Sequence, residues 1–160
     1  MGTTVYFASP LGFATSTKAF MNEMEQALVD AGIAVLNPWK GDFGTDFARA
    51  HAMTDGDARR GALHRINTAI GEANARLIRA CDGVVAVLDG VDVDSGTASE
   101  IGFAFALGKR IHGLRTDSRL IGDNEGTVVN LQVQYFIEAS GGQVVRDLGA
   151  LIGILKEITP

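Results

Sequence analysis

The strongest constraint on the fold is a regular alternation of short apolar runs with longer segments of helical periodicity. Strands are predicted for the apolar runs at residues 5–8, 33–36, 83–88, 110–114 and 143–146. Apolar residues recur with a helical period in the segments at residues 16–31, 63–80, 97–107, 128–139 and 148–158. Strands that alternate with helices predict a parallel sheet, because each crossover helix returns the chain to the same end of the sheet.

The alternation predicts an α/β fold: a doubly wound, mostly parallel five-stranded sheet with helices on both faces. The expected strand order is 2-1-3-4-5, as in flavodoxin-like sheets, with the topological switch point between strands 1 and 3. The 160 residues, 46% of them hydrophobic, suffice for one core, and no linker or internal repeat divides the chain. We therefore predict a single domain over residues 1–160.

Composition narrows the range of partners. The formal net charge of −5 argues against binding to a nucleic-acid backbone. The single cysteine, Cys81, excludes an internal disulfide and is typical of a reducing cytoplasm. No apolar run approaches the roughly 18 residues that a membrane span needs, and the chain begins directly on a strand-like segment. We expect a cytoplasmic protein that binds neither nucleic acid nor membranes.

One segment does not fit the alternation. Residues 39–61 are rich in Gly and Asp and are expected to form a long irregular loop. Loops of this length in a compact domain are commonly lids or binding loops. Trp39, Phe43 and Phe47 would either stack on a flat ligand or pack the loop onto the body of the protein, and the sequence leaves both interpretations open.

Functional side chains are concentrated in the segment D-S-G-T-A-S-E-I-G at residues 94–102, where the third strand turns into a helix. Ligands of open α/β sheets bind at that edge, near the switch point. Two interpretations of Glu100 are open. It forms a capping box with Thr97, or its carboxylate acts in a cleft as a nucleophile or general base. A catalytic Glu100 should point into the cleft, and a capping Glu100 at the backbone N–H of Thr97.

Familiar cofactor-binding and catalytic motifs are absent from the sequence. There is no G-x-G-x-x-G after the first strand, no G-x-x-x-x-G-K-[ST] and no G-x-S-x-G. One cysteine and three scattered histidines do not match the spacing of zinc ligands. The acidic residues at 89, 92 and 94 do not match a calcium-binding loop. We expect no resident metal and no organic cofactor.

Residues 5–10, 81–90 and 94–102 together resemble the nucleoside 2-deoxyribosyltransferase family. The continuations at 104–110 and 113–119 are also similar, so the resemblance extends from residue 5 to about residue 135, except for 39–61.

The resemblance implies transfer of a 2-deoxyribosyl group between nucleobases through a covalent deoxyribosyl-glutamate, with retention of configuration. By motif position the nucleophile is Glu100, and Tyr6 orients it. Asp82 and Asp94 flank the base and move its proton. Substrate contacts are expected from Ser9, Pro10, Asp89, Ser95, Gly96 and Asn130. The resemblance further implies a homo-oligomer, a dimer or a higher even number, in which Asn130 reaches the site of a neighbouring subunit.

Two other functions remain open. The first is a nucleoside or nucleotide N-glycoside hydrolase of the same superfamily. The second is a nucleotide-binding module without catalysis. The loop after the first strand contains no arginine, which favours a substrate with an uncharged 5′-hydroxyl over a 5′-phosphate. The sequence does not determine whether purines or pyrimidines are preferred, nor the roles of Asp117 and Arg119.

Overall fold

A computed structural model describes residues 3–158. Its strands are β1 (Thr4–Ala8), β2 (Ala34–Leu36), β3 (Gly83–Val87), β4 (Arg110–Leu114) and β5 (Val144–Val145). Its helices are α1 (Thr15–Asp30), α2 (Gly44–His51), α3 (Gly56–Ala80), α4 (Ser95–Ala106), α5 (Leu131–Ala139) and α6 (Leu148–Ile158). A short 3-10 turn, Pro38–Lys40, follows β2.

The strands form one sheet in the order β2-β1-β3-β4-β5, and each neighbouring pair is parallel. In the register, Tyr6 of β1 pairs with Val84 of β3. The predicted strand order is confirmed, and the switch point lies between β1 and β3. The loops that leave these two strands therefore diverge and open a crevice at their carboxyl ends.

Helices cover both faces of the sheet, as predicted. One buried apolar cluster packs the sheet against α3, α4 and α5, with members such as Ile78, Ile101 and Ile137. The other packs the opposite face against α1 and α6, with members such as Met24 and Leu155. Side chains of successive strand residues point to opposite faces, so each central strand contributes to both clusters.

The prediction of a long irregular loop at residues 39–61 is wrong. The segment contains the last two residues of the 3-10 turn, all of α2 and the first residues of α3. Asp55 caps α3, because its side chain accepts a hydrogen bond from the backbone N–H of Ala58 at 2.8 Å. The helix therefore begins at Gly56, seven residues before the predicted start. The Gly and Asp residues of this segment mark helix ends rather than one irregular connection.

Smaller differences concern the ends of elements. Helix α5 begins at Leu131 instead of residue 128, because Asn130 caps it. Strand β5 has two residues instead of four. Helix α1 ends where Gly32 adopts a φ of +83°, a backbone conformation that favours glycine. Among residues 3–158, no helix combines the length and apolar composition needed to cross a bilayer.

Candidate active site

A cleft of about 430 Å³ opens at the switch point. This volume lies within the usual range of small-molecule sites. The cleft walls come from the exits of β1 and β3, the 3-10 turn, α2, α3 and the start of α4. The lining residues are Ser9, Phe13, Pro38, Trp39, Phe47, Asn67, Ile70, Asn74, Asp94, Gly96, Thr97 and Glu100.

Glu100 lies in this cleft and is held by side chains from two other elements. The hydroxyl of Tyr6 in β1 donates a hydrogen bond to Glu100 Oε1 at 2.6 Å. The amide of Asn74 in α3 donates a second one to the same oxygen at 3.3 Å. Tyr6 is fully buried, and both hydrogen bonds fix Oε1 of Glu100. Within residues 3–158, the other oxygen, Oε2, has no hydrogen-bond partner.

Of the two interpretations of Glu100 that the sequence left open, the capping box is wrong. Helix α4 begins at Ser95, and its cap is Asp94, whose Oδ2 accepts from the backbone N–H of Thr97 at 2.9 Å. The Thr97 hydroxyl donates to the same oxygen at 3.2 Å. Glu100 is thus the sixth residue of the helix, beyond the turn in which a side chain reaches the cap. Its side chain bonds Tyr6, the geometry expected of a carboxylate directed into the cleft.

Burial and a neighbouring acid govern the protonation of Glu100. Burial raises the pKa of Glu100, because a charged carboxylate loses solvation, and the negative charge of Asp94 raises it further. The hydrogen bonds from Tyr6 and Asn74 lower it in part. Burial, followed by the charge of Glu100, also raises the pKa of Tyr6. Tyr6 therefore keeps its proton and remains a donor.

The aromatic residues of the 39–61 segment divide into two groups. Trp39 and Phe47 line the cleft, together with Phe13 from the exit of β1. The rings of Phe13 and Trp39 meet edge to face with centroids 4.6 Å apart. Phe43 instead lies against Gly41, where an added Cβ would be 2.8 Å from its ring. Trp39 and Phe47 thus face the cleft, whereas Phe43 packs within its own segment.

Asp82 is not brought to the cleft, and its predicted place beside the base is wrong. It immediately precedes β3 and accepts a hydrogen bond from the backbone N–H of Thr4, the first residue of β1, at 2.8 Å. It therefore lies at the amino ends of the strands. Five strand residues, roughly 16 Å, separate that edge from the cleft. Its contact with Thr4 joins the beginnings of two strands.

Other predicted contact residues divide between cleft and framework. Ser9 and Gly96 line the cleft. Pro10 lies in the turn after β1, where its carbonyl accepts from the N–H of Phe13 at 3.1 Å. Ser95 is exposed, and its carbonyl accepts from Ser99 Oγ. Neither Pro10 nor Ser95 is among the lining residues.

Asp89 and Asn130 have structural partners outside the cleft lining. Asp89 accepts hydrogen bonds from the backbone N–H and the hydroxyl of Thr116 and from the N–H of Asp117, so it joins the loops after β3 and β4. Asn130 Oδ1 caps α5 by accepting from two backbone N–H groups of that helix. Asp117 bonds Arg119, which lowers the pKa of Asp117.

Sequence analysis missed the polar side chains that α3 contributes. Asn67, Ile70 and Asn74 line the cleft and recur at i, i+3 and i+7, the spacing of one helix face. The same spacing is visible in the sequence, but it does not say which face of α3 turns toward β1 and β3. Residues 3–158 contain no group of three or more His, Cys, Asp and Glu side chains arranged to bind a metal ion.

These observations define a class of protein: a doubly wound α/β domain with an acidic, aromatic-walled ligand site at its switch point. The family model of the nucleoside 2-deoxyribosyltransferases matches residues 5–132. The chain belongs to this family, and the predicted resemblance is confirmed.

The individual relatives share about 30% sequence identity or less with this chain. An uncharacterized protein of Schizosaccharomyces pombe is 30% identical over 120 residues, which are 72% of this chain and 51% of the relative. The chain thus spans about half the length of that curated relative. A conserved protein from Enterococcus faecalis V583 is 27% identical with a TM-score of 0.70, over 98% of this chain and 99% of the other.

Two further solved structures share the fold. The 2-deoxyribosyltransferase from Bacillus psychrosaccharolyticus is 20% identical with a TM-score of 0.59, over 95% of each chain. The CMP N-glycosidase of Clostridium botulinum is 18% identical with a TM-score of 0.56, over 96% of this chain and 98% of the other. At these identities the likeness concerns the fold alone.

Proposed function

We propose that this protein transfers 2-deoxyribosyl groups between nucleobases through a covalent intermediate on Glu100. The observation that carries the proposal is the position of the Glu100 carboxylate, held by Tyr6 at 2.6 Å within the switch-point cleft. A buried carboxylate fixed through one oxygen presents the other to an electrophilic carbon. Family membership supplies the substrate class, a nucleoside and a free base.

The proposed reaction has two displacements. In the first, a Glu100 oxygen bonds the anomeric carbon, the bond to the base nitrogen breaks, and the base leaves with a proton from Asp94. In the second, the nitrogen of another base bonds the same carbon, the ester to Glu100 breaks, and Asp94 accepts the proton of the incoming base. Two inversions retain configuration, and the enzyme returns to its starting state. The residues assigned to the reaction require no cofactor.

Asp94 is the acid of this proposal because of its position. It is the second carboxyl group of the cleft lining, and it lies close enough to Glu100 for the two groups to interact. Its Oδ2 is fixed by Thr97, and an added Cβ at Gly96 would lie 3.1 Å from that oxygen. Gly96 thus leaves room for the carboxyl group at the start of α4. With Asp82 at the other edge of the sheet, proton transfer at the base rests on Asp94 alone.

The charge of the cleft favours a nucleoside over a nucleotide. Among the described residues that line the cleft there are two carboxyl groups and no lysine or arginine. A 5′-phosphate binds where cationic side chains or helix N-terminal amides offset its charge, and here the start of α4 is occupied by Asp94. An uncharged 5′-hydroxyl avoids this repulsion. We include a cytoplasmic location in the proposal, consistent with the free thiol of Cys81.

A two-product assay tests the proposed function. Thymidine and free adenine are supplied together, and deoxyadenosine and free deoxyribose are both quantified. We expect deoxyadenosine to form faster than deoxyribose. Glu100→Ala should reduce exchange by at least about 10³-fold, because the nucleophile is lost. Glu72→Ala, an exposed glutamate on α3, is the matched control and should retain activity.

The same assay identifies the alternatives. Deoxyribose as the main product would make the protein a hydrolase, with water in place of the second base. Nucleoside binding without any product would make it a binding module. Near-full exchange in a folded Glu100→Ala variant would refute the covalent mechanism.

A further inference from the structure

A buried polar cluster lies behind the aromatic wall of the cleft and outside its lining. Glu25 of α1 is a buried residue of a helix whose neighbouring buried residues, Met24 and Leu28, are apolar. Glu25 Oε2 accepts a hydrogen bond from Asn37 Nδ2 at 2.9 Å, and Oε1 accepts from Lys40 Nζ at 2.5 Å. Removing a carboxylate from water is costly unless its oxygens are bonded. Both oxygens here bond groups of one short segment, residues 37–40.

That segment carries Trp39. Asn37, which is also buried, accepts a hydrogen bond from the backbone N–H of Trp39 at 3.0 Å. The indole Nε1 of Trp39 donates to the carbonyl of Ser9, at the exit of β1, at 2.8 Å. Trp39 is therefore held at its backbone through Glu25 and Asn37, and at its ring through β1.

Close packing completes the support of the ring. An added Cβ at Gly12 would lie 2.1 Å from Trp39 Cδ2, so the indole rests directly on the Gly12 backbone. Phe13 contacts the same ring edge to face. Trp39 nevertheless remains 36% exposed, and it lines the cleft. A flat aromatic surface is thus fixed in place and open on the cleft side.

We propose that Glu25 is a positioning residue for base recognition, because it fixes through Asn37 the indole on which a nucleobase stacks. This inference rests on the proposed function for the nature of the ligand. Stacking on an aromatic ring suits any base and depends on the ring being held in place. The bond to Asn37 carries the effect. The Lys40 side chain is 67% exposed, and ion pairs to exposed lysines contribute little.

Trp39 is the single tryptophan of the chain, so its fluorescence reports directly on this wall. The experiment titrates the full-length protein with free adenine and follows the quenching of Trp39 emission. Glu25→Ala removes the acceptor for Asn37 and should weaken adenine binding about ten-fold. Glu25→Gln keeps an amide oxygen that accepts from Asn37 and should restore the affinity. Glu23→Gln, an exposed glutamate on the same helix, and Lys40→Ala should change it less than two-fold.

Steady-state exchange kinetics separate positioning from general damage to the fold. Glu25→Ala should raise KM for the acceptor base about ten-fold and leave kcat within two-fold, whereas a destabilised fold would lower kcat as well. Trp39→Leu should raise the same KM by a similar factor. This variant retains a test if Glu25→Ala does not fold.

Several outcomes would overturn the inference: unchanged adenine affinity in a folded Glu25→Ala variant, unchanged KM in Trp39→Leu, or exchange activity without quenching by adenine. Failure of the proposed function looks different. In that case no deoxyadenosine forms, yet adenine still quenches Trp39 and Glu25→Ala still weakens the binding.

Discussion

The carboxylate of Glu100 experiences opposing influences, each from a named neighbour. Burial and Asp94 favour its neutral form, whereas the hydrogen bonds from Tyr6 and Asn74 favour its charged form. The net direction of the Glu100 pKa is upward. Of the two hydrogen bonds, the one from Tyr6 lowers the pKa of Glu100 more, so the ionisation of Glu100 should be sensitive to its loss. The proposed reaction requires the charged form.

Replacing Tyr6 by phenylalanine tests this dependence. The variant loses a hydrogen bond to a charged group, worth about 1.5–3 kcal/mol, so the pKa of Glu100 should rise further. Because only ionised Glu100 attacks, the acid limb of the kcat/KM profile should move to higher pH, and activity at neutral pH should fall about ten-fold or more. The measurement is base exchange between pH 4 and pH 9. An unshifted acid limb would show that Tyr6 does not control the ionisation of Glu100. Tyr135→Phe, an exposed tyrosine on α5, is the matched control.

At the scale of elements, the loops that follow β3 and β4 are joined behind the site. Arg115, at the end of β4, is fully buried, and its guanidinium donates to the carbonyl of Leu88 at 2.5 Å. It also donates to the carbonyl of Arg119 at 2.7 Å. Together with the bonds of Asp89 to Thr116, these contacts fix the start of the segment that leads to Asp94. The charged residues of this region thus support the site without lining it.

Strand β4 also carries a histidine in an unusual position. His112 is 3% exposed, and neither ring nitrogen has a hydrogen-bond partner within residues 3–158. It alternates with Ile111 and shares its side of the strand with Leu114, which packs under α1 and α6. Burial lowers the pKa of His112, and the nearby positive charge of Arg110 lowers it further. The folded protein therefore holds this imidazole neutral.

His112 should make stability depend on pH in a defined direction. In the unfolded chain a histidine binds its proton near pH 6.5, and in the folded chain only at lower pH. The free energy of unfolding should thus lose this contribution as pH falls below about 6.5, by at most about 1.4 kcal/mol per pH unit. Urea unfolding of wild type and His112→Leu between pH 5 and pH 8 measures it. The variant should lack this part of the slope, whereas His64→Leu, at an exposed site, should keep it. Equal slopes in wild type and His112→Leu would contradict the prediction.

At the scale of the whole molecule, we propose that a second copy of the chain completes the site. Asn130 begins α5, and the same helix carries Leu131 and Tyr135, which are 51% and 57% exposed. Large apolar side chains exposed together are typical of interaction surfaces. They lie beside the residue that the family resemblance assigns to a neighbouring subunit. We therefore propose a homo-oligomer with shared sites.

Charge placed on α5 tests the oligomer. Leu131→Asp combined with Tyr135→Asp should dissociate the protein to monomers and reduce exchange by at least about ten-fold, because the partner's Asn130 is withdrawn. Light scattering gives the molar mass, and the two-product assay gives the activity. Val29→Asp, an exposed site on α1 on the other face of the sheet, is the control. A fully active wild-type monomer would contradict the prediction.

Much of the fold follows from local signals. The alternation of apolar runs and helical segments predicted every strand, because buried parallel strands leave a distinct pattern. The strand order and the switch point came from the order common to flavodoxin-like sheets. The segment 39–61 failed because its glycines and aspartates were interpreted as a loop. Asp55 caps α3, and Asn37, just before the segment, caps the 3-10 turn. A residue that caps a helix and a residue of an irregular turn are of the same types, and they differ only in the backbone conformation of the residues that follow.

The sequence by itself placed Asp94 and Glu100 at the edge of the sheet where the third strand ends. The family resemblance added Tyr6, whose hydroxyl the structure brings to Glu100. The strand boundaries predicted from the sequence also exclude Asp82, which precedes β3, although the family resemblance had placed it in the site. Only the tertiary structure decided that Trp39 faces the cleft while Phe43 does not, and that α3 presents Asn74 to Glu100. These choices depend on how helices rotate as they pack on the sheet, and contacts between residues far apart in the chain set that rotation.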